Sequence, residues 1–352
     1  MLEDKNQITS NLEELGEFGL IDTLTEGFEN KQKSTQLGIG DDAAVLNFGD
    51  EEVVISTDML VEGVHFDVTY TPLKHLGYKA VVVNLSDIYA MNATPRQITF
   101  SLAVSSRYTV EALQEIYEGV KLACEFYNVD LVGGDTTSSL KGLVLSVTAI
   151  GSAPKAQIVR RSGASETDLI CVSGDLGGAY MGLQILEREK AVFKENPEMQ
   201  PDMAGNEYVL ERQLKPEARR DVIKALADFK IVPTSMIDIS DGLASELMHI
   251  CKHNDSGAQI YEDKIPVDYH TYKAAEDFNF NATTAALNGG EDYELLFTIK
   301  QKDFEVVKGI PGISIIGHIT DKASGINMVT RGDQFIELQA QGWNAFKNKS
   351  DS

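Results

Sequence analysis

A run of β-branched residues leads directly into three oxygen-bearing side chains in the first third of this chain, and this transition restricts the folds open to it. Val53-Val54-Ile55 is followed at once by Ser56-Thr57-Asp58. A short apolar run bounded in this way is typical of a buried strand, and ligands bind at strand ends in sheets flanked by helices. We therefore predict a strand that ends near Ser56 and presents these side chains to a ligand.

The same transition recurs farther along the chain. It appears at Leu131–Asp135, at Ile237–Asp241 and at Leu287–Asp292. Any one of these segments is explained more simply by Asp and Gly marking turns and helix caps. Their recurrence favours a site assembled from several such segments.

Strand and helix patterns alternate in the first part of the chain. The predicted helices are Ile8–Asn30 and Thr109–Tyr127, and the predicted strands are Arg96–Val104, Val129–Gly134 and Leu143–Ile150. Such alternation indicates an α/β or α+β domain. Gly151–Thr167 is basic and rich in Gly, Ala and Ser, which predicts a linker between a domain at residues 1–152 and a second α/β domain at residues 153–352.

The segment Leu76–Met91 can be aligned as a helix that places Asn84 and Asp87 on an apolar face. An unpaired carboxylate on such a face is costly, so Asp87 needs a cation, a hydrogen-bond donor or a proton. Val81-Val82-Val83 could equally begin a strand. An Asp that is merely capped or hydrogen-bonded explains the pattern as well as a functional one does.

The second domain is predicted to begin with a strand, a glycine-rich turn and a helix. These elements are Leu169–Ser173, Gly174–Gly178 and Ala179–Glu189. Weak periodicity and two prolines in Lys190–Tyr208 predict a mobile insertion. The remaining predictions are a helix through Phe229, strands at Leu295–Ile299 and Ser314–Gly317, and a hairpin around Arg331–Asp333.

Two carboxylates, Asp238 and Asp241, flank Ser240 directly before a helix with an apolar stripe. Carboxylates at a helix start usually cap the helix and favour its dipole. Two carboxylates around a serine, directly after an apolar strand, also make a cation site. The residues alone leave both interpretations open.

The composition limits the partners and the compartment. The formal net charge of −23 argues against nucleic acid and anionic membranes as partners unless metal ions intervene. Three widely spaced cysteines predict neither a disulfide framework nor a zinc site, and they fit a reducing cytoplasm. We find no pattern of an export signal or of a membrane span.

Asp side chains with Ser and Thr oxygens, and few His or Cys, favour Mg²⁺ over zinc or copper. The chain contains no GxxxxGK[ST] phosphate loop. If ATP binds, its phosphates must be held through metal ions, backbone N–H groups of glycine-rich turns and basic groups such as Arg161. No Ser-His-Asp or Cys-His spacing argues for covalent catalysis.

Motifs spread over the whole chain resemble the thiamine-monophosphate kinase family. They are GEFGLI at Gly16–Ile21, GIGDDAAVL at Gly38–Leu46, ISTDMLVEGVHF at Ile55–Phe66, YKAVVVNLSDIYAMNATP at Tyr78–Pro95, VGGDTT at Val132–Thr137, RRSGA at Arg160–Ala164, IDISDGL at Ile237–Leu243 and NGGEDYEL at Asn288–Leu295. The family belongs to the aminoimidazole ribonucleotide synthetase superfamily. The resemblance implies an amino-terminal α/β domain that forms a dimeric β-barrel with its copy, a carboxy-terminal α/β domain, and ATP bound between the two domains.

The resemblance also implies roles for individual residues. The implied Mg²⁺ ligands are Asp42, Ser56, Thr57, Asp58, Asp87, Asp135, Asp238 and Asp241, and we expect Asp58, Asp87 and Asp135 to be central to catalysis. The implied ATP contacts are Tyr117, Gly134, Asp135, Arg161 and Ser240. The implied contacts with thiamine monophosphate are His65, Glu291 and Trp343. Trp343 is the only tryptophan of the chain. A single tryptophan is more often a core residue than a substrate contact.

The expected activity is transfer of the γ-phosphoryl group of ATP to thiamine monophosphate, in line and with several Mg²⁺ ions, by a cytoplasmic homodimer. A selenophosphate synthetase would share the fold, but no cysteine lies in an amino-terminal glycine-rich loop. A synthetase of the aminoimidazole ribonucleotide type would lack the STDMLVEGVHF form. A non-catalytic Mg²⁺–ATP sensor would have lost some acidic ligands, and none is missing.

Overall fold

The computed structural model describes residues 23–37 and 45–340, which fall into two compact units that divide between residues 154 and 155. Residues 89–93 group with the second unit. The predictions for residues 8–22 and 38–44, including Asp42, and for Trp343 lie outside the described residues. None of the described helices is both long and apolar enough to cross a membrane.

The first unit contains a four-stranded sheet with two long helices on one face. Its elements in chain order are β1 (Thr35–Leu37), β2 (Val45–Leu46), β3 (Glu52–Val61), α1 (Leu73–Ala90), β4 (Thr94–Val104), α2 (Val110–Tyr127), β5 (Asp130–Ser138) and β6 (Leu143–Ala153). The strand order is β3-β6-β4-β5, and only β4 and β5 run parallel. In the part of the chain described, β3 and β5 are the edges of an open sheet.

The helix alternative for Leu76–Met91 is confirmed, since all of this segment except Met91 lies in α1. Val81, Val82 and Val83 are all buried, so α1 is apolar on most of its circumference and resembles a strand in local sequence. Gly77 lets α1 pack tightly on α2, because a Cβ there would overlap the carbonyl oxygen of Ile116.

The predicted end of a strand near Ser56 is wrong. β3 continues to Val61 because it pairs with β6 along its whole length, from Glu52 opposite Ala153 to Val61 opposite Val144. Side chains alternate along a strand, so Ser56 and Asp58 face α1 whereas Thr57 lies on the other face. The same correction applies to β5, which runs through Asp135 instead of ending before it.

The face of the first sheet opposite the helices is partly apolar and exposed. Val53, Ile55 and Met59 of β3 are exposed by 46%, 64% and 56%. Three large apolar side chains on the same face of one edge strand are unusual for a surface that stays in water. The single chain leaves this face uncovered in the described residues.

The second unit is built on a seven-stranded sheet with helices on both faces. Its strands are β7 (Leu169–Ser173), β8 (Ser235–Ile239), β9 (Gly257–Tyr261), β10 (Glu294–Ile299), β11 (Ile313–Thr320), β12 (Ile326–Val329) and β13 (Phe335–Glu337). Its helices are α3 (Gly178–Glu195), α4 (Glu207–Leu214), α5 (Arg220–Asp228), α6 (Leu243–Asn254), α7 (Tyr269–Asp277), α8 (Ala282–Asn288) and α9 (Phe304–Val307). The strand order is β13-β12-β9-β11-β7-β10-β8.

The core of the second unit lies on both faces of this sheet, because neighbouring residues of β7 enter different apolar clusters. Ile170 and Val172 pack in the cluster that contains Leu247 of α6. Cys171 packs in the cluster that contains Leu226 of α5. A continuous apolar strand is therefore explained by burial on two sides. The predicted α/β or α+β class is confirmed.

The prediction of a mobile insertion at Lys190–Tyr208 is wrong at both ends. α3 extends through Lys190 to Glu195, and Tyr208 belongs to α4. α3 and α4 pack closely because a Cβ at Gly182 would overlap the carbonyl oxygen of Val209. Tertiary packing thus orders a segment whose periodicity is weak. The predicted linker also begins too early, since β6 includes residues 151–153.

Candidate functional site

The structure brings Ser56, Asp58 and Asp87 together in the first unit. The Ser56 hydroxyl donates to Asp87 Oδ2 at 2.5 Å. The backbone N–H of Asp58 donates to Asn84 Oδ1 at 2.9 Å, and Asn84 Nδ2 in turn donates to the carbonyl of Ala80. β3 supplies the serine and one carboxylate, and α1 supplies the second carboxylate and the amide that anchors the strand.

The electrostatics of this cluster fit a hard cation. Burial and the nearby charge of Asp87 together raise the pKa of Asp58 to about 6. Two carboxylates and a hydroxyl form an all-oxygen donor set, and a divalent cation among them would remove the repulsion that raises this pKa. No three His, Cys, Asp or Glu side chains within residues 23–37 and 45–340 converge on one metal position. Mg²⁺ commonly completes its shell with water and phosphate oxygens.

Asp135 does not join this cluster within one chain. In the register of the sheet, Asp135 is opposite Ser101, Ser101 is opposite Ser146, and Ser146 is opposite Met59. Asp135 therefore lies on the exposed face, whereas Asp58 lies on the helix face. The two residues are also on opposite edge strands, roughly 14 Å apart at the usual strand spacing.

Gly134 and Tyr117 are both neighbours of Phe100, Gly134 within the sheet and Tyr117 on helix α2. Gly134 of β5 is the register partner of Phe100. The Tyr117 ring packs edge-on against Phe100 with centroids 5.3 Å apart, and Tyr117 is 7% exposed. Burial raises the pKa of the Tyr117 hydroxyl. In the single chain Tyr117 is thus a core residue beneath the GGD segment.

His65 lies directly after β3, and its hydrogen bond determines its tautomer. Nδ1 accepts the backbone N–H of Val61 at 3.0 Å. A nitrogen that accepts a hydrogen bond carries no proton, so the neutral ring bears its proton on Nε2.

In the second unit, the IDISDGL and NGGEDYEL motifs lie against each other. The backbone N–H of Glu291 donates to the carbonyl of Ser240 at 2.7 Å. Burial and the charge of Glu291 raise the pKa of Asp241, although His249 opposes them. Burial and the charge of Arg161 lower the pKa of His249, whereas the charge of Asp241 raises it. Arg161 and Asp241 therefore both lie near His249.

The helix-cap interpretation of Asp238 and Asp241 is not supported. α6 begins after Gly242, which makes no side-chain capping hydrogen bond. Instead the backbone N–H of Asp241 donates to Glu246 Oε1 at 3.1 Å.

Sequence reasoning missed Glu246. Its side chain is 2% exposed, and Glu246 Oε2 has no hydrogen-bond partner among the described residues. Burial and the charges of Asp241 and Asp238, opposed by the N–H of Asp241, raise the pKa of Glu246 to about 8. The only available signal was a lone acidic residue inside the apolar stripe of α6.

The glycine-rich turn between β7 and α3 is already occupied by protein. Asp292 Oδ2 accepts the N–H of Gly177 at 2.8 Å, and Asp292 Oδ1 accepts the N–H of Ala179 at 3.4 Å. A fully buried carboxylate thus occupies the start of α3, where a phosphate would otherwise bind.

Comparison of the sequence with known proteins gives matches over nearly the whole chain. A family model described as AIR synthase related protein, N-terminal domain, matches residues 40–153. The thiamine-monophosphate kinase of Bacillus subtilis is 35% identical over 341 residues, which cover 95% of this chain and 100% of that relative. The thiamine-monophosphate kinase of Escherichia coli K12 is 34% identical and covers 94% of this chain and 98% of that relative.

Several solved structures have the same fold as this chain. A structure described as AaThiL complexed with AMPPCP and TMP has a TM-score of 0.73 and 31% identity, and it covers 97% of this chain and 100% of that chain. The thiamine-monophosphate kinase from Stenotrophomonas maltophilia has a TM-score of 0.75 and 31% identity, with 91% and 98% covered. Hydrogenase maturation protein HypE, at 18% identity and a TM-score of 0.73, covers 93% and 98% and shares the fold alone.

Proposed function

Because the chain belongs to the thiamine-monophosphate kinase family, we propose that it transfers the γ-phosphoryl group of ATP to the phosphate of thiamine monophosphate, giving thiamine diphosphate and ADP. The observation that carries this proposal is the end-to-end similarity to the Bacillus subtilis kinase. The structure described with AMPPCP, an ATP analogue, and TMP supports the choice of the two substrates. The expected location is the cytoplasm, in keeping with three buried cysteines that form no disulfide.

The proposed chemistry is direct in-line transfer. The acceptor is already an anionic phosphate, so it needs no strong base, but its charge must be neutralised and its oxygen aligned with the donor. Mg²⁺ would supply that neutralisation. The carboxylates of Asp58 and Asp87 would hold the cation, and the Nε2–H of His65 would orient an acceptor oxygen. Covalent phosphorylation of the chain is not part of this mechanism.

The other proposed roles follow the family resemblance. The remaining cation ligands in the proposal are Asp42, Thr57, Asp135, Asp238 and Asp241, and the proposed ATP contacts are Tyr117, Gly134, Asp135, Arg161 and Ser240. Glu291 and Trp343 would recognise thiamine monophosphate. A carboxylate at Glu291 suits the cationic thiazolium and the aminopyrimidine of this substrate better than its phosphate.

We also propose a homodimer in which two copies of the first sheet face each other. The exposed apolar row of Val53, Ile55 and Met59 would then become interior. Closure that sets β3 beside β5 of the other copy would bring Asp135 of the partner subunit next to the strand that carries Asp58. Such closure would remove the separation of Asp135 and Asp58 across the strands, while their side chains keep opposite faces of the sheet.

The decisive experiment incubates the protein with ATP and Mg²⁺ and either thiamine monophosphate or free thiamine. ³¹P NMR should show thiamine diphosphate and ADP only with the monophosphate. A labelled phosphoryl group that remains on the denatured chain after incubation with ATP alone would exclude direct transfer. ATP binding without turnover of either acceptor would favour the sensor alternative over a kinase.

A further inference from the structure

Helix α4 contacts the segment that carries Glu291 through a buried amide. Gln213 Nε2 donates to Glu291 Oε2 at 2.7 Å. Gln213 is 6% exposed, whereas Glu291 is half-buried. A buried amide thus fixes one oxygen of a carboxylate that lies 78 residues away in sequence.

Arg212, the residue before Gln213, anchors the same helix to the segment that follows Glu291 and to the turn after β7. Arg212 Nη1 donates to Glu294 Oε1 at 3.0 Å, and Nη2 donates to the carbonyl of Asp175 at 2.9 Å. Nη2 also lies 3.3 Å from the carbonyl of Asp292. Because the carboxylate of Glu294 is fully buried, this charge-assisted contact holds the end of α4 in one place.

The backbone around Glu291 has little freedom of its own. Glu291 and Tyr293 have φ angles of +57° and +52°, which residues other than glycine rarely adopt. Their N–H groups donate to Ser240 at 2.7 Å and to Ile239 at 2.9 Å, so β8 holds this conformation. Strained backbone that the surrounding structure keeps in place is common at ligand sites. With the backbone fixed, only the direction of the Glu291 side chain is left to be set.

We propose that Gln213 is a positioning residue that sets the Glu291 carboxylate for recognition of the cationic, aminopyrimidine-bearing part of the acceptor. This inference rests on the proposed function, because it takes Glu291 as a substrate contact. The choice of residue supports it. A neutral amide orients the carboxylate and keeps its full negative charge, whereas a lysine or arginine would neutralise the charge that attracts the substrate.

The test compares four variants by steady-state kinetics and melting temperature. Gln213→Leu should raise KM for thiamine monophosphate by about 10- to 150-fold, the range expected for a hydrogen bond to a charged group, with KM for ATP and kcat changed less than about two-fold. Glu291→Gln should raise the same KM at least as much. Gln213→Leu added to Glu291→Gln should have little further effect, because the amide acts through the carboxylate. Glu211→Gln, on the exposed side of α4, is the matched control and should behave as wild type.

Other outcomes separate this inference from the function on which it rests. If Glu291→Gln raises KM but Gln213→Leu does not, the positioning role is overturned and the kinase proposal stands. If Gln213→Leu changes both KM values, kcat and the melting temperature together, Gln213 is merely structural and the inference fails. If Glu291→Gln leaves KM unchanged, Glu291 is not a substrate contact and the inference fails with it. Failure of the wild-type protein to act on thiamine monophosphate would instead overturn the proposed function.

Discussion

Asp58 experiences two effects that act in the same direction, burial and the charge of Asp87. Both penalise its charged form in the folded protein, so its pKa lies above the ordinary value for Asp. Asp58→Asn keeps the shape of the side chain and removes one ligand charge. Turnover at saturating Mg²⁺ should therefore fall by at least about 100-fold. Activity near wild type would make Asp58 a purely structural strand residue.

The same variant should not lose stability. In EDTA, ionised Asp58 destabilises the folded protein. This free-energy cost is absent below about pH 4, where Asp58 is protonated in the folded and the unfolded state, and it is complete above about pH 6. The melting temperature of Asp58→Asn relative to wild type should rise across that window. Glu115→Gln, an exposed acid on α2, is the control and should show no such trend.

Glu246 gives a prediction about how the stability of the fold depends on pH. Its pKa is raised to about 8 in the folded chain, so its contribution to stability is present below about pH 4.5 and is lost as the pH rises through 8. In EDTA, Glu246→Gln should therefore melt at the same temperature as wild type near pH 4 and several degrees higher at pH 9. Differential scanning calorimetry across this range is the measurement. Exposed Glu276→Gln should leave the melting temperature unchanged, and a loss of stability at pH 9 in Glu246→Gln would contradict the assignment.

At this scale the sequence shows which residue types belong to a site but not how they are paired. Ser56 and Asp87 were predicted as site residues because each belongs to a local sequence pattern. The structure shows that the two side chains are hydrogen-bonded. The contact of Gln213 with Glu291 has no local signal, since it depends on how α4 packs in the fold. The cap of α6 is Gly242 and not either of the two carboxylates, and the contact of Glu246 with the N–H of Asp241 likewise has no local signal.

Among the elements, the α1–α2 pair shows how packing overrides propensity. Alanine in place of a helix glycine ordinarily stabilises by about 1 kcal/mol. At Gly77 the added Cβ would overlap the backbone of Ile116, which cannot rotate away, and such overpacking costs about 1–3 kcal/mol. Gly77→Ala should therefore lower the melting temperature by a few degrees, measured by calorimetry. Gln114→Ala on the exposed face of α2 should have almost no effect, and a higher melting temperature for Gly77→Ala would contradict the packing argument.

Element type was predictable wherever local pattern decides it. β7 has the predicted bounds, the β12–β13 hairpin lies around the predicted turn, and α2 begins after Thr109 as its cap. The ends of β3 and β5 were not predictable, because a strand ends where its partner stops pairing, and β6 continues to pair with β3 through polar residues. The extension of α3 through Lys190 to Glu195 was likewise not predicted.

For the whole molecule, the question is what covers the exposed apolar row of β3. Leaving Ile55 in water at 64% exposure has a cost that a second copy would remove. The proposed dimer would also supply a partner for the edge that β3 leaves open, and open edges are otherwise a hazard for aggregation. Both arguments are independent of the family resemblance.

Ile55→Lys tests this dimer. The substitution is compatible with a folded single chain because the side chain is exposed there, but in a closed interface it would bury an uncompensated charge in each copy. At about 3 kcal/mol for each of the two charges, the dimer dissociation constant should rise on the order of 10⁴-fold, which sedimentation velocity measures. Leu140→Lys is the matched control, since Leu140 is 102% exposed and lies in the loop after β5. If Asp135 of the partner subunit completes the site, Ile55→Lys should lose kinase activity in step with the dimer while its melting temperature stays high. A monomeric wild-type protein, or a monomeric variant with full activity, would rule out a site shared between copies.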